Sequence, residues 1–248
     1  MTVELSSLAD GFSCYTTSKD EASFIYKEIY QDKCYDGFEL PESPFIIDAG
    51  ANIGLFSVYM KQKHPSATIL AFEPAPQAYD LLRRNLELHH VSDVETHAFG
   101  LSSKATTAKF TYFPNLPGNS TLRPEEKVEL RRAIAEHLGE EVANHNFAGA
   151  QEIDVDLQRL SHFLSGRDGL ERIDLLKIDV EGAELDVLLG LDDIHWGMTR
   201  NVVLETSVNS GVKPEIERLL RNKGFIVTSE GASWALGQVF TIRARRDN

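Results

Sequence analysis

Apolar runs and helical stripes alternate along this chain in the order expected of an α/β protein. Phe45-Ile46-Ile47 lies between Pro44 and the glycines Gly50 and Gly54, which predicts a short buried strand, a glycine turn and a helix over 55–61. A second strand is predicted over 68–72. The helix after it, over 77–89, repeats Ala78, Leu82 and Leu86 at four-residue spacing, and Leu81 widens the stripe. Further strands are predicted over 94–99, 108–113, 151–156, 173–179 and 201–205, and a last pair over 225–229 and 238–244. The link 230–237 is too short for a crossover, so the last pair is antiparallel. Ser18-Lys19-Asp20-Glu21 reads as a capping box that opens a helix to about residue 30, with Ala22, Ile25 and Ile29 inward. Helices are also expected over 124–138, around 157–164, from Val180 to a C-cap at Gly190, and over 214–223. His89 and His90 close the 77–89 helix as caps. Residues 1–17 pattern weakly and read as a leader over a ligand site, and 139–149 reads as irregular.

The chemistry gathers where these strands end. Asp48 closes the first strand beside the glycine turn, and open α/β sheets bind ligands at the carboxyl ends of their strands. A dinucleotide fingerprint requires G-x-G-x-x-G. Here Gly50 and Gly54 are spaced G-x-x-x-G, Asn52 stands at the middle glycine, and the Asp48 carboxylate would repel a phosphate. The second strand ends in Glu73-Pro74, where an acid accepts hydrogen bonds from both ribose hydroxyls of an adenosine. A cationic nucleoside without phosphate, such as S-adenosylmethionine, fits this set. Asp179 and Glu205 end the strands over 173–179 and 201–205 and face the same crevice, with Glu181 next to Asp179.

Asp48-x-Gly50-x-Asn52-x-Gly54, Phe72-Glu73-Pro74 and Lys177-Ile178-Asp179-Val180-Glu181-Gly182-Ala183-Glu184 resemble the FkbM family of S-adenosylmethionine-dependent methyltransferases, over about 26–225. The last motif is the most specific. The resemblance implies a class I methyltransferase fold. This is a Rossmann-like, mostly parallel seven-stranded sheet with an antiparallel last strand and helices on both faces. It implies a cofactor set of Asp48, Gly50, Asn52, Gly54, Glu73, Pro74, Gly100, Leu101 and Asp179, the glycine and leucine by their place beside the adenine. It also implies that the segment 31–43, with Tyr35 and Phe38, helps to cover the cofactor, and that Asn119 and Ser120 match a polar pair of the family. Family members commonly tailor polyketides, peptides and sugars, so the expected reaction is O-methylation of a small or carrier-tethered natural-product intermediate. A sugar hydroxyl is the alternative acceptor.

A hydroxyl nucleophile needs a base, a metal ion or both. Asp179, Glu205 and Glu181 are the candidate catalytic groups, and Asp179 with Glu205 is the candidate ligand pair for a divalent cation such as Mg. His137 and His145 are surface residues or lid bases. Glu181 and Glu184 are alternatively caps of the helix that follows them. A nicotinamide-dependent oxidoreductase and a non-catalytic binding domain are the competing classes. The glycine spacing weighs against the first and the acidic crevice against the second.

Length and composition narrow the setting. A chain of 248 residues, 42% hydrophobic, suits a single domain, with residues 1–43 as an amino-terminal helical cover and 114–150 as a lid insertion between paired strands. The net charge of -13 disfavours nucleic acid and anionic membranes as partners. Two cysteines, Cys14 and Cys34, suit a reducing compartment, and no apolar run has transmembrane length, so the expected location is the cytoplasm.

Overall fold

The computed structural model describes residues 3–232 and 239–246. The chain opens with a hairpin of β1 (Glu4–Ser7) and β2 (Ser13–Thr16), then α1 (Lys19–Tyr26), prolonged by a π turn over Lys27–Gln31. β3 (Phe45–Ala49), α2 (Leu55–Lys63), β4 (Thr68–Phe72), α3 (Pro76–Leu88) and β5 (Val94–His97) follow. Next come β6 (Gly100–Leu101), β7 (Thr106–Tyr112), α4 (Lys127–Leu138), α5 (Glu140–Phe147), β8 (Gln151–Gln158) and α6 (Leu160–Leu164). The chain ends with β9 (Leu175–Ile178), α7 (Glu184–Leu189), α8 (Asp193–Met198), β10 (Asn201–Ser207), α9 (Lys213–Asn222), β11 (Ile226–Gly231) and β12 (Val239–Arg245).

The main sheet has seven strands in the order β11-β12-β10-β9-β3-β4-β5. β3, β4, β5, β9 and β10 pair in parallel, and β12 runs antiparallel to both β10 and β11. Side chains alternate between the faces of each strand. Ile47 and Ala49 of β3 and Leu176 and Ile178 of β9 join a core with Val187, Leu188, Trp196, Ile216 and Leu220 of α7, α8 and α9. Ile46 and Leu175 point the other way, into a core with Tyr26, Ile29, Tyr35, Phe56 and Leu81. Asp48 and Lys177 belong to this second face, and register makes them direct neighbours on β3 and β9. Among the described residues, no helix is long and apolar enough to cross a membrane.

Several expectations change. The predicted strand over 94–99 stops at His97, and Gly100–Leu101 joins a separate three-stranded sheet, β6-β8-β7. The stretch 139–149 is helical as α5. Gly139, at φ +97, ends α4, and Glu140 and Glu141 restart a helix with acids in its first turn. Gly190 is the C-cap of α7 as expected, but its φ of -76 is right-handed, and glycine is required there by close approach, since a Cβ would stand 2.4 Å from the Ser102 carbonyl oxygen. The described part of the leader, residues 3–17, does not line the pocket. Asn85, buried in α3, holds β2 by accepting from Tyr15 N–H at 2.6 Å and donating to Tyr15 O at 3.0 Å. His89 does more than cap α3, because its ring meets Ser13 O at 2.8 Å and stacks on Phe12. The link 233–237 and the predicted strand start at Gln238 lie outside the described residues.

Candidate active site

A pocket opens at the carboxyl ends of β3, β4 and β9. Its floor includes Gly50, Asn52, Glu73, Pro74, Gly100, Leu101, Asp179 and Glu181, all foreseen as site residues. Phe72, Phe99, Val180 and Ala183 add apolar walls, and Pro117, Gly118, Ser120 and Leu122 of the 114–150 insertion form a roof. Asp48, Gly54 and Glu205 do not line it.

The turn after β3 is shaped by close approach. Gly50 has φ +78, and a Cβ there would sit 1.8 Å from the Asp179 carbonyl oxygen, so only glycine fits. Asn52 adopts a left-handed φ of +47, which asparagine tolerates. Gly54 opens α2 at φ +88, and its missing side chain admits Leu82 of α3 at 2.6 Å from the Cβ position. It is therefore a packing glycine rather than a ligand contact. Glu73 clasps the same turn. Its Oε2 accepts from Asn52 N–H and its Oε1 from Ala75 N–H, each at 2.9 Å. Burial pushes its carboxyl up to about 7, against the pull of those two N–H donors.

Asp48 requires a correction. It is fully buried, and its charge is answered inside the protein. Oδ1 lies 3.1 Å from Lys177 Nζ, and Oδ2 accepts from Ser57 Oγ at 2.8 Å. Asp48 therefore offers no free carboxylate to a bound cation. Lys177, which the motif contained without revealing its partner, also donates to Gly50 O at 2.7 Å and so ties β9 to the cofactor turn. Burial opposes its ammonium form, but Asp48, Asp179 and Glu205 outweigh burial and hold it above the ordinary lysine range.

Asp179 remains at the pocket edge, its side chain 31% exposed. Tyr35 donates to its Oδ2 at 3.0 Å, so the 31–43 segment reaches the site through this hydroxyl. Glu205 stands on β10 and is not part of the pocket lining. Burial, then the carboxylates of Asp179, Glu28 and Glu181, hold its carboxyl well above the ordinary range. Glu181, at φ +57, pairs with Lys127 of the insertion, and its carbonyl accepts from Thr121 Oγ1 at 2.6 Å. Glu184 is a local brace, accepting from Gly182 N–H at 2.8 Å, with its carboxyl pushed up to about 8 by burial. Asn119 contacts Lys127, and Ser120 Oγ accepts from Phe113 N–H, so this pair shapes the insertion. His137 and His145 do not line the pocket.

The expected divalent cation at Asp179 and Glu205 does not fit this donor set. Among the described residues, no three His, Cys, Asp or Glu side chains are grouped to hold a metal ion. Lys177 Nζ, 3.7 Å from Asp179 Oδ2, already supplies the positive charge there.

Comparison with known proteins accords with this geometry. The model of the methyltransferase FkbM domain matches residues 48–227, most of the chain and all of the motifs above. The chain belongs to the FkbM methyltransferase family. Methyltransferase sdnD of Sordaria araneosa is 56% identical over 97% of this chain and 96% of its own length. The 31-O-demethyl-FK506 methyltransferase FkbM of Streptomyces tacrolimicus is 34% identical over 98% of this chain and 97% of its own. In the crystal structure of methyltransferase FkbM from Methylobacillus flagellatus, the fold recurs at 12% identity. That superposition has a TM-score of 0.56 and covers 88% of this chain and 47% of that one.

This FkbM enzyme is an S-adenosylmethionine-dependent methyltransferase of the class I fold. The pocket fits that cofactor. Asn52 Oδ1 is buried without a hydrogen-bond partner among the described residues, and Glu73 presents a carboxyl group to a pocket that Gly50 and Gly100 also line.

Proposed function

We propose that this FkbM enzyme transfers a methyl group to a hydroxyl oxygen of a small or carrier-tethered natural-product intermediate, a sugar hydroxyl being the alternative acceptor. Residues 114–150 act as the substrate cover, and the reaction takes place in the cytoplasm, where the unbridged Cys14 and Cys34 stay reduced. The observation that carries this reading is Asp179, a carboxylate at the pocket edge, aimed by Tyr35 and backed by Lys177. The Streptomyces relative's name places its reaction on an oxygen.

When bound, S-adenosylmethionine supplies a methyl carbon activated by its sulfonium. Glu73 would accept hydrogen bonds from the ribose hydroxyls, and Gly100 and Leu101 would take the adenine end of the pocket. Asn52 offers its unpartnered Oδ1 to the cofactor. An aliphatic hydroxyl is too weak an acid to lose its proton unaided near neutrality, so a positioned carboxylate must take it as the oxygen attacks. Asp179 is that base, and Tyr35 and Lys177 hold its orientation. The roof of Pro117, Gly118 and Leu122 excludes water from the reacting atoms.

The direct test incubates the protein with methyl-labelled S-adenosylmethionine and a panel of hydroxylated acceptors, and locates the label by mass spectrometry. Label on an acceptor oxygen is expected; label on nitrogen or carbon alone overturns the reading.

Glu73 also gives a pH signature. Its carboxyl titrates at about 7, and the ionised form is the one that accepts the ribose hydroxyls. Affinity for S-adenosylhomocysteine is therefore held above that pH and lost as pH falls through it. Between pH 8 and pH 6 the dissociation constant should rise about tenfold, one proton per bound ligand. Glu73→Gln should bind weakly at both pH values with a flattened profile. Calorimetry that finds the wild type insensitive over this range removes Glu73 from ribose recognition.

A further inference from the structure

The capping box read from Ser18 and Glu21 is only half made. Ser18 Oγ accepts from Glu21 N–H at 3.4 Å, but the return bond is missing, because Ser18 N–H donates to Thr16 Oγ1 at 3.0 Å. Thr16 thereby frees the glutamate side chain from its local task. Glu21 Oε1 instead accepts the N–H of Gly118 at 2.8 Å, in the roof of the pocket. A Cβ on Gly118 would stand 3.1 Å from both Glu21 Oε1 and Asn52 Nδ2. Three distant parts of the chain therefore meet at one peptide: the amino-terminal helix, the insertion and the cofactor turn.

Stability alone does not explain this arrangement. Burial pushes the Glu21 carboxyl up to about 8, and Glu181 nearby carries the same sign of charge. A solvent-facing capping glutamate would hold α1 without either penalty. Either protonation state keeps a carbonyl-type oxygen for the Gly118 N–H, so the contact survives through neutrality.

We infer that Glu21 is a positioning residue that fixes the Pro117–Gly118 turn as the roof of the S-adenosylmethionine pocket. The inference rests on the assignment of that pocket to the cofactor. Gln at this position keeps an oxygen acceptor, whereas Ala removes it.

The test measures S-adenosylhomocysteine binding by calorimetry and amide exchange at Gly118, in the wild type, Glu21→Gln, Glu21→Ala and Gly118→Ala. Glu21→Ala should bind roughly tenfold more weakly, the order of one buried hydrogen bond, while Glu21→Gln stays within about threefold of wild type. Exchange at the Gly118 amide should quicken in Glu21→Ala and not in Glu21→Gln. Equal impairment of the two Glu21 variants, or wild-type affinity in Glu21→Ala, overturns the inference. If Glu21→Ala does not fold, Gly118→Ala carries the test, since its added methyl pushes the turn from Glu21 and Asn52. Weakened binding supports the roof, and unchanged binding overturns it. A wild type that binds no S-adenosylhomocysteine would instead overturn the cofactor pocket itself.

Discussion

Lys177→Met is expected to lower the melting temperature by about 10 °C, the response of a chain this size to losing roughly 3–5 kcal/mol. The lysine is buried between two strands, and its side chain answers a carboxylate with no solvent access. Removing it leaves the Asp48 carboxylate in the core with Ser57 as its remaining hydrogen-bond donor among the described residues. It also cuts the bond to the Gly50 carbonyl, so cofactor affinity should fall together with stability. The sign is diagnostic in combination. Asp48→Asn with Lys177→Met should melt higher than Lys177→Met alone, because the stranded charge is gone. Thermal unfolding of the two single variants and the double variant decides this. A Lys177→Met protein that melts with the wild type would show that compensating the Asp48 carboxylate contributes little to stability.

Asp179→Asn is expected to abolish most turnover, by about 10²–10⁴-fold, the usual range for a general base. The amide oxygen still accepts from the Tyr35 hydroxyl, so the side chain keeps its place, and S-adenosylhomocysteine should bind within roughly threefold of wild type. Loss of rate with retained binding separates a chemical role from a structural one. A variant with full turnover removes Asp179 from the mechanism and directs attention to Glu181, the other candidate carboxylate that lines the pocket.

Much of this site is readable along the chain because parallel strands announce their carboxyl ends. Glu73 and Asp179 each follow an apolar run that ends in a turn, and both line the pocket. Asp48 satisfies the same pattern and yet points into the core. The difference is register: Asp48 falls inside β3, opposite a lysine more than a hundred residues away, and strand order is not written in local periodicity. Glu21 was visible as half of a capping box, but its true partner depends on a loop that folds back over the sheet. α5 was missed because it buries little, Ala143 being its fully buried residue, so it shows no apolar stripe. The β1–β2 hairpin was missed for a related reason, since two four-residue strands carry too few alternations to be told from coil.

The insertion that roofs the pocket leaves and re-enters the fold at a single point, for Tyr112 at the end of β7 is paired directly with Gln151 at the start of β8. A segment spliced in this way resembles a cartridge in a fixed socket. Its closure penalty grows by only about 0.6 kcal/mol for each doubling of length. A change of length within this piece therefore leaves the strand pairing and the buried lysine untouched, provided the Gly118 and Lys127 contacts to the rest of the fold are kept. Reshaping the roof need not reopen the problem of folding the sheet.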